Sequence, residues 1–328
     1  MNTTTTLSNT YQTFFSKQLL NRVKQETQLL AFAKLEDMPK NAGATTIRFF
    51  RPPTADLSAA GAPATLTEGV APSTERDISF TTIDVPLVQI GQKMSVTDVV
   101  SQTALLNTIK AATDLAADEF TLDIDVRLRN PLCNATTGLT KRYAQALANY
   151  AALTGASDSA GKIVPKDLLI SSTYLYKTRA PRFGSATAGK YGAILSAGQC
   201  ADLMDNAEFR EVVRQNNAER IFNGEVGEYY GTKVCTTSVP FTENATEGTF
   251  SGTDNIHVGL VLGKEAFGAV NLASLGSSLK GPKLIIVDKP DSNNPLGQKI
   301  YIGWKTFWGN AILKSDWGVA LRSRTTFR

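Results

Sequence analysis

The sequence predicts an α+β protein. Its strongest helical periodicity is gathered in the first 130 residues or so, and its clearest strands fall in the last third. Helix and strand therefore segregate instead of alternating, which excludes a regular βαβ architecture. Composition fits an ordinary folded chain: 328 residues, 42% hydrophobic, 20% charged, with 25 Gly and 13 Pro. Those values exclude a disordered chain, a collagen-like repeat and a disulfide scaffold, and no repeat of solenoid period is present.

The N-terminal part, residues 13 to 37, reads as an amphipathic helix. Phe15, Leu19, Val23, Leu30 and Ala33 fall largely at helical spacing, with Lys17, Arg22, Lys24 and Glu26 on other faces. Pro39 and Gly43 are its stop signals. A helix with its own apolar stripe has to dock, either on the same chain or on a neighbour. A strand is expected from Thr45 to Arg51 and a second extended stretch from Ile78 to Ile90. Between them, Pro52 to Asp77 is rich in Pro, Ala and Thr, a connection longer than the ~15 residues beyond which loops are usually functional or disordered. Such a segment projects as an arm.

Thr97 to Arg129 is the strongest helix. Leu105, Ile109, Ala112, Ala116, Phe120, Ile124 and Leu128 advance by three or four residues throughout. Asp123 with Arg127 and Asp125 with Arg129 are i,i+4 pairs in the favourable order, and Asn130-Pro131 is expected to end the helix. Further on, helices are expected at Ala144 to Leu153 and Asp205 to Asn216, with a short buried strand at Leu168 to Ser171. From Ile221 the chain is mostly β. Lys283 to Asp288, Lys299 to Trp308 and Trp317 to Ser323 are the clearest strands, the last with Val319 and Leu321 alternating with polar neighbours.

Chemistry-bearing patterns are sparse. Net charge is +4, from 34 Lys+Arg against 30 Asp+Glu, with no dense basic run to mark a nucleic-acid binder. Cys133, Cys200 and Cys235 have neither disulfide-framework nor zinc-site spacing and read as reduced, partly buried thiols of a reducing cytoplasm. Met1 to Thr10 is polar and Thr-rich, unlike a signal peptide, and no apolar run approaches the ~20 residues that span a bilayer. His257 is the single histidine and reads as a packed or half-exposed strand residue. Gly184 to Tyr191 imitates a P-loop but has Tyr191 where the magnesium-binding hydroxyl belongs. Gly224, Gly227 and Gly231 lack dinucleotide spacing and read as turns. Asp288, Asp291 and Asn293 lack the calcium-loop pattern, and the doublets Glu36-Asp37 and Asp118-Glu119 fall on solvated helix faces. No catalytic, metal or cofactor site is expected.

Several ordered motifs carry a family resemblance. Phe14-Phe15 through Leu20, then Pro39-Lys40-Asn41-Ala42-Gly43 and Ile47-Arg48-Phe49, open the chain. Leu66-Thr67-Glu68-Gly69-Val70-Ala71-Pro72 follows in the arm. Phe222-Asn223-Gly224-Glu225-Val226-Gly227 leads to Gly231 and Val234, and Leu262-Gly263-Lys264-Glu265-Ala266-Phe267-Gly268 comes after. Pro295-Leu296-Gly297-Gln298, Gly303-Trp304-Lys305 and Ile312-Leu313 close the series. In this order they resemble tailed-phage major capsid proteins of the Hong Kong 97-like fold, in the branch typified by the large podovirus N-four.

The resemblance implies an N-terminal arm (1–44), an E-loop (45–93) and a peripheral domain with a long spine helix (94–165). It further implies an axial domain with connecting segments (166–282) and peripheral-domain return strands (283–328). The implied role is a structural shell subunit, not an enzyme and without cofactors, that self-assembles as hexamers and pentamers into an icosahedral head around double-stranded DNA. Scaffolding, portal and decoration proteins are the implied partners, with no membrane, and the virion is the implied location after folding in the host cytoplasm. The other reading is an encapsulin-like cellular compartment shell. Candidate subunit-interface residues are Phe14, Phe15, Leu19 and Val23 in the N-terminal arm and Arg48, Arg51, Glu68 and Arg76 in the loop.

Overall fold

A computed structural model describes residues 28–37, 45–51, 68–69, 80–103, 108–184, 189–215, 225–244, 246–252, 255–270, 283–287 and 295–327. A 3-10 turn (Leu29–Phe32) leads into β1 (Lys34–Glu36). β2 (Thr46–Arg51) and β3 (Thr81–Pro86) make a hairpin stem, followed by β4 (Val88–Thr97), α1 (Asp98–Thr103) and α2 (Thr108–Cys133). Next come β5 (Thr140–Tyr143), a 3-10 turn (Ala144–Ala146), α3 (Tyr150–Gly155), α4 (Asp158–Gly161) and α5 (Pro165–Lys177). β6 (Tyr191–Ser196), α6 (Ala197–Asp205) and α7 (Ala207–Gln215) follow. The remainder is β7 (Glu225–Tyr229), β8 (Thr232–Thr237), β9 (Phe241–Glu243), β10 (Ile256–Leu262), β11 (Phe267–Val270), β12 (Lys283–Val287), β13 (Lys299–Trp308), β14 (Asn310–Ile312) and β15 (Gly318–Arg324).

Among the described residues these strands form four sheets. The ten-residue strands β4 and β13 pair antiparallel along their whole length, Val88 opposite Trp308 and Thr97 opposite Lys299, with β12 on the far side of β13. Helix α2 lies on this sheet. Its stripe Ala116, Phe120, Ile124 and Leu128 is buried with Ile90, Ile302, Trp304 and Trp308, and Phe120 meets Trp304 edge-on at 4.6 Å between ring centroids. The spacing that predicts this helix therefore also predicts the face it buries.

A seven-stranded mixed sheet runs β5-β15-β10-β6-β8-β7, with β9 also on β10. Its central strand β6 is buried at every position, and Leu168 and Leu175 of α5, Leu203 of α6 and Phe209 of α7 pack into one core with Val261, Val319 and Leu321. The last strand, β15, belongs here, antiparallel to β10 and parallel to β5. Six of its seven positions are buried, so the alternation expected of it is absent: both faces are covered, and Arg322 and Ser323 face partners instead of water.

Four other expectations are corrected. Residues 28–37 are a 3-10 turn and a strand, not the end of a helix. Asp125 draws in the backbone N–H groups of Gln28 and Leu29, and β1 pairs parallel with β11, Lys34 opposite Gly268. Glu36 is thus on a strand, beside Lys34 at 3.6 Å. Leu168 to Ser171 is helical, inside α5. Pro165 pre-sets its first turn, and the Asp167 carboxylate accepts the backbone N–H groups of Val164 (3.0 Å) and Gln145 (2.9 Å). That second bond is possible because Gln145 and Ala146 take positive φ, 53° and 56°, which also breaks the helix expected over Ala144 to Leu153. Finally, α2 continues through Pro131 to Cys133. The Asp123–Arg127 pair forms at 2.7 Å. Asp125 and Arg129, however, are both buried and turn to different partners.

Candidate assembly surface

The β2–β3 hairpin stem is amphipathic because its alternation is strict. Ile47, Phe49 and Val85 point inward and are buried with Val270 and Leu313, while Thr46, Arg48 and Phe50 point out. Phe49 lies so close to β11 that a Cβ on Gly268 would come within 2.6 Å of its ring. Arg51, on the same inward face, adds a polar tie, its Nη1 donating to the Leu313 carbonyl at 2.8 Å.

On the outward face Arg48 stands directly opposite Asp84. Its Nε and Nη2 donate to the two carboxylate oxygens at 2.6 and 2.8 Å. This bidentate bond holds the Asp84 carboxyl below, and the Arg48 guanidinium above, their ordinary pKa values. Both side chains are solvent-exposed, so the pair sets register more than it stabilises. Beyond it, Phe50 is 58% and Phe80 61% exposed. Neither edge of this two-stranded sheet is paired with another described strand. Exposed aromatics beside open strand edges are the features a protein partner covers.

Of the residues nominated from sequence, Arg48 and Arg51 are thus engaged within the chain, and Glu68 occupies an exposed turn with Gly69 at φ +78°. Arg76, Phe14, Phe15, Leu19 and Val23 lie outside the described residues. Phe50 and Phe80 were not nominated. The alternation Thr46-Ile47-Arg48-Phe49-Phe50 carries the signal, since burying Ile47 and Phe49 puts Phe50 outside.

Buried charge ties together the elements beyond the stem. Arg322 and Glu243 are both fully buried; Arg322 Nε lies 3.0 Å from Glu243 Oε2, and its Nη2 donates to the Cys133 carbonyl at 2.9 Å. The end of α2 is thereby tied to β15 and β9. Arg129 adds a second tie, donating to the carbonyls of Val239 (3.0 Å) and Pro240 (2.7 Å) with its guanidinium over Phe241 and Phe250.

The remaining chemistry is structural. His257 on β10 is half-buried and meets the Ser196 hydroxyl at 2.9 Å, in a cavity of about 480 Å³ also lined by Thr237, Thr242 and Asn255. Burial lowers the imidazole pKa. Ser196 Oγ caps α6 by accepting the Gln199 N–H at 3.2 Å, and Asp202 is held by Thr326. Ser196 spends its oxygen on the helix cap, and Asp202, the carboxylate whose charge reaches His257, is hydrogen-bonded to Thr326, an arrangement that caps a helix end more than it activates a nucleophile. Sequence spacing gave no hint of this contact, because the two residues are 61 apart in the chain and meet only through the pairing of β6 with β10. Lys190 of the P-loop imitation is paired with Glu228. Tyr230 and Gly231 make the tight β7–β8 turn, both at positive φ. The three cysteines are unbridged, and burial pushes the Cys133 thiol up to about 12. Asp288, Asp291 and Asn293 lie outside the described residues. Among the described residues no group of three or more His, Cys, Asp or Glu could hold a metal ion, and no helix is long and apolar enough to cross a membrane.

No protein-family model matches the sequence, and no curated protein matches it significantly. Solved structures do. The capsid of Ralstonia phage GP4 superposes with TM-score 0.61 at 12% identity, over 86% of this chain and 84% of that one. The capsid asymmetric unit of cyanophage Pam1 gives 0.63 at 11%, over 90% and 89%. A virus-like particle from Pyrococcus furiosus gives 0.51 at 14%, over 94% and 97%. Identities this low speak to fold alone, and with a long helix backed by a sheet, a two-stranded hairpin stem and a second buried sheet in a chain matched over 86–94% of its length, that fold is the Hong Kong 97-like capsid fold.

Proposed function

We propose that this chain is a major capsid protein of a tailed bacteriophage, whose copies associate as hexamers and pentamers into an icosahedral head around double-stranded DNA. The observation that carries the reading is the hairpin stem, which offers two exposed aromatics and two edges unpaired among the described strands, on a fold matched over 86–90% of the chain by phage capsids. The ordered motifs from Phe14-Phe15 to Ile312-Leu313 favour the N-four-type branch. The arm is residues 45–93. Arg48 and Asp84 fix its register, while Phe50, Phe80, Glu68 and Arg76 meet the neighbouring subunit. Scaffolding, portal and decoration proteins complete the partner set, and the subunit folds in the host cytoplasm before entering the virion. A net charge of +4 suits a wall along which packaged DNA slides, since tight phosphate binding needs many clustered cations.

The particle from Pyrococcus furiosus favours a second reading, a cellular compartment shell. Sedimentation of the purified full chain tests both. The capsid reading predicts particles of megadalton size that are lost when residues 52–79 are replaced by a short turn, with the stem intact. Particles that persist without the arm contradict it, and a co-purifying enzyme in place of nucleic acid selects the second reading.

A further inference from the structure

Helix α2 leaves one stripe to solvent that the fold does not use. At 3.6 residues per turn, Ala111, Leu115, Asp118 and Leu122 share a face opposite the buried stripe of Phe120 and Ile124. Leu115 is 51% and Leu122 49% exposed, two large aliphatic side chains one above the other on a helix that otherwise buries its apolar residues. Further along the same face the stripe is covered. Asp125 is 6% exposed and accepts the backbone N–H groups of Gln28 and Leu29, and Leu29 and Leu30 are buried in the core that α2 shares.

The chain therefore meets α2 where the exposed stripe begins. The residues before Gln28 start about 5 Å from the level of Leu122 and about 15 Å from that of Leu115, at ~1.5 Å per helical residue. Residues 13 to 27 carry Phe14, Phe15, Leu19 and Val23 at helical spacing, with Lys17, Arg22 and Lys24 beside them. As a helix this segment would extend about 22 Å, enough to cover both leucines. Its cations suit a surface with Asp118 within the stripe and Asp114 and Glu119 beside it.

We propose that the Leu115–Leu122 stripe of α2 is the docking seat of the chain's own residues 13 to 27, apolar face down and basic residues toward the acidic flanks. The inference concerns a single chain, and it gives Phe14, Phe15, Leu19 and Val23 an intrachain seat in place of the subunit interface that the resemblance implies for them. A benzophenone-bearing phenylalanine at Leu122, and separately at Leu115, tests it in the full chain. Equal amounts of ordinary and heavy-isotope chains are mixed and irradiated, and the joined peptides are mapped by mass spectrometry. The expected result is a link to residues 13 to 27 within chains of one isotope. Links from those residues joining light to heavy chains, or no link to them, overturn the proposal. Hydrogen exchange on L115K/L122K gives a second readout without photochemistry. Protection of residues 13 to 27 is expected to fall at least ~10-fold while that of β10 holds, and unchanged protection overturns the proposal.

Discussion

Asn310 donates its side-chain amide to the Arg127 carbonyl at 3.1 Å, the carbonyl that a proline four residues later leaves without a helical donor. Pro131 has no N–H to give it, yet α2 runs on to Cys133. The neighbouring end carbonyls are also taken: Pro131 by Asn134 N–H, Leu132 by Leu139 N–H, and Cys133 by Arg322. The helix passes its proline because a residue on β14 supplies the missing bond.

Asn310→Ala is therefore expected to lower stability by about 0.5–1 kcal/mol. In a Pro131→Ala background, where residue 131 can donate to Arg127 itself, the loss should shrink toward zero. Denaturant titration of the four species gives the coupling. Strict additivity would contradict this role for Asn310.

The Arg322–Glu243 pair should behave as a buried pair does. Arg322→Met leaves Glu243 charged and uncompensated, and is expected to cost about 3–5 kcal/mol. The double variant R322M/E243M should recover part of that loss, because it removes both charges from the interior. Thermal unfolding of the single and double variants separates these outcomes.

Asp125 predicts a pH dependence. Burial raises its pKa to about 6, whereas an unfolded Asp titrates near ~3.9. Between these values the folded state holds the extra proton, so this group's contribution to stability falls as pH rises through the window. Asp125→Asn retains an oxygen for the Gln28 and Leu29 N–H groups without the charge. It should exceed wild type by about 1–3 kcal/mol at pH ~8, with the gap closing as pH falls to ~4. Denaturant midpoints across that range check it, and a pH-independent gap contradicts it.

Truncation should have a sharp boundary. Residues 29, 30 and 34–36 belong to the core and to the β1–β11 pairing, so a chain lacking residues 1–27 is expected to fold. One lacking 1–38 loses two buried leucines and a strand, at roughly 2–5 kcal/mol per large side chain, and should be unfolded or insoluble. Circular dichroism and thermal melts of the two truncations decide it.

How far the sequence spoke depended on how local the deciding interaction was. The buried stripe of α2 and the existence of the strands at Thr45 to Arg51 and Lys299 to Trp308 rest on local pattern and were legible; the pairing of Lys299 to Trp308 with β4 and the inward face of β2 emerge only in the fold. Leu168 to Ser171 misled because three successive apolar residues have no period of their own; Pro165 and the Asp167 carboxylate set helix there. Residues 28–37 leave helix because a carboxylate on α2 takes their N–H groups, a contact across nearly a hundred residues of chain. The arm expected over Pro52 to Asp77 lies almost wholly outside the described residues. The nominated charges Arg48 and Arg51 are engaged within the chain, Arg48 on the outer face with Asp84 and Arg51 with the Leu313 carbonyl, partners that only the folded register brings together.

Electron cryo-microscopy of the purified full chain tests the central proposal most directly. The account predicts closed shells built of five- and six-fold clusters, with each β2–β3 hairpin lying across the neighbouring subunit and Phe50 and Phe80 covered there. Dispersed monomers at every concentration, or shells in which the hairpin touches only its own chain, would contradict it.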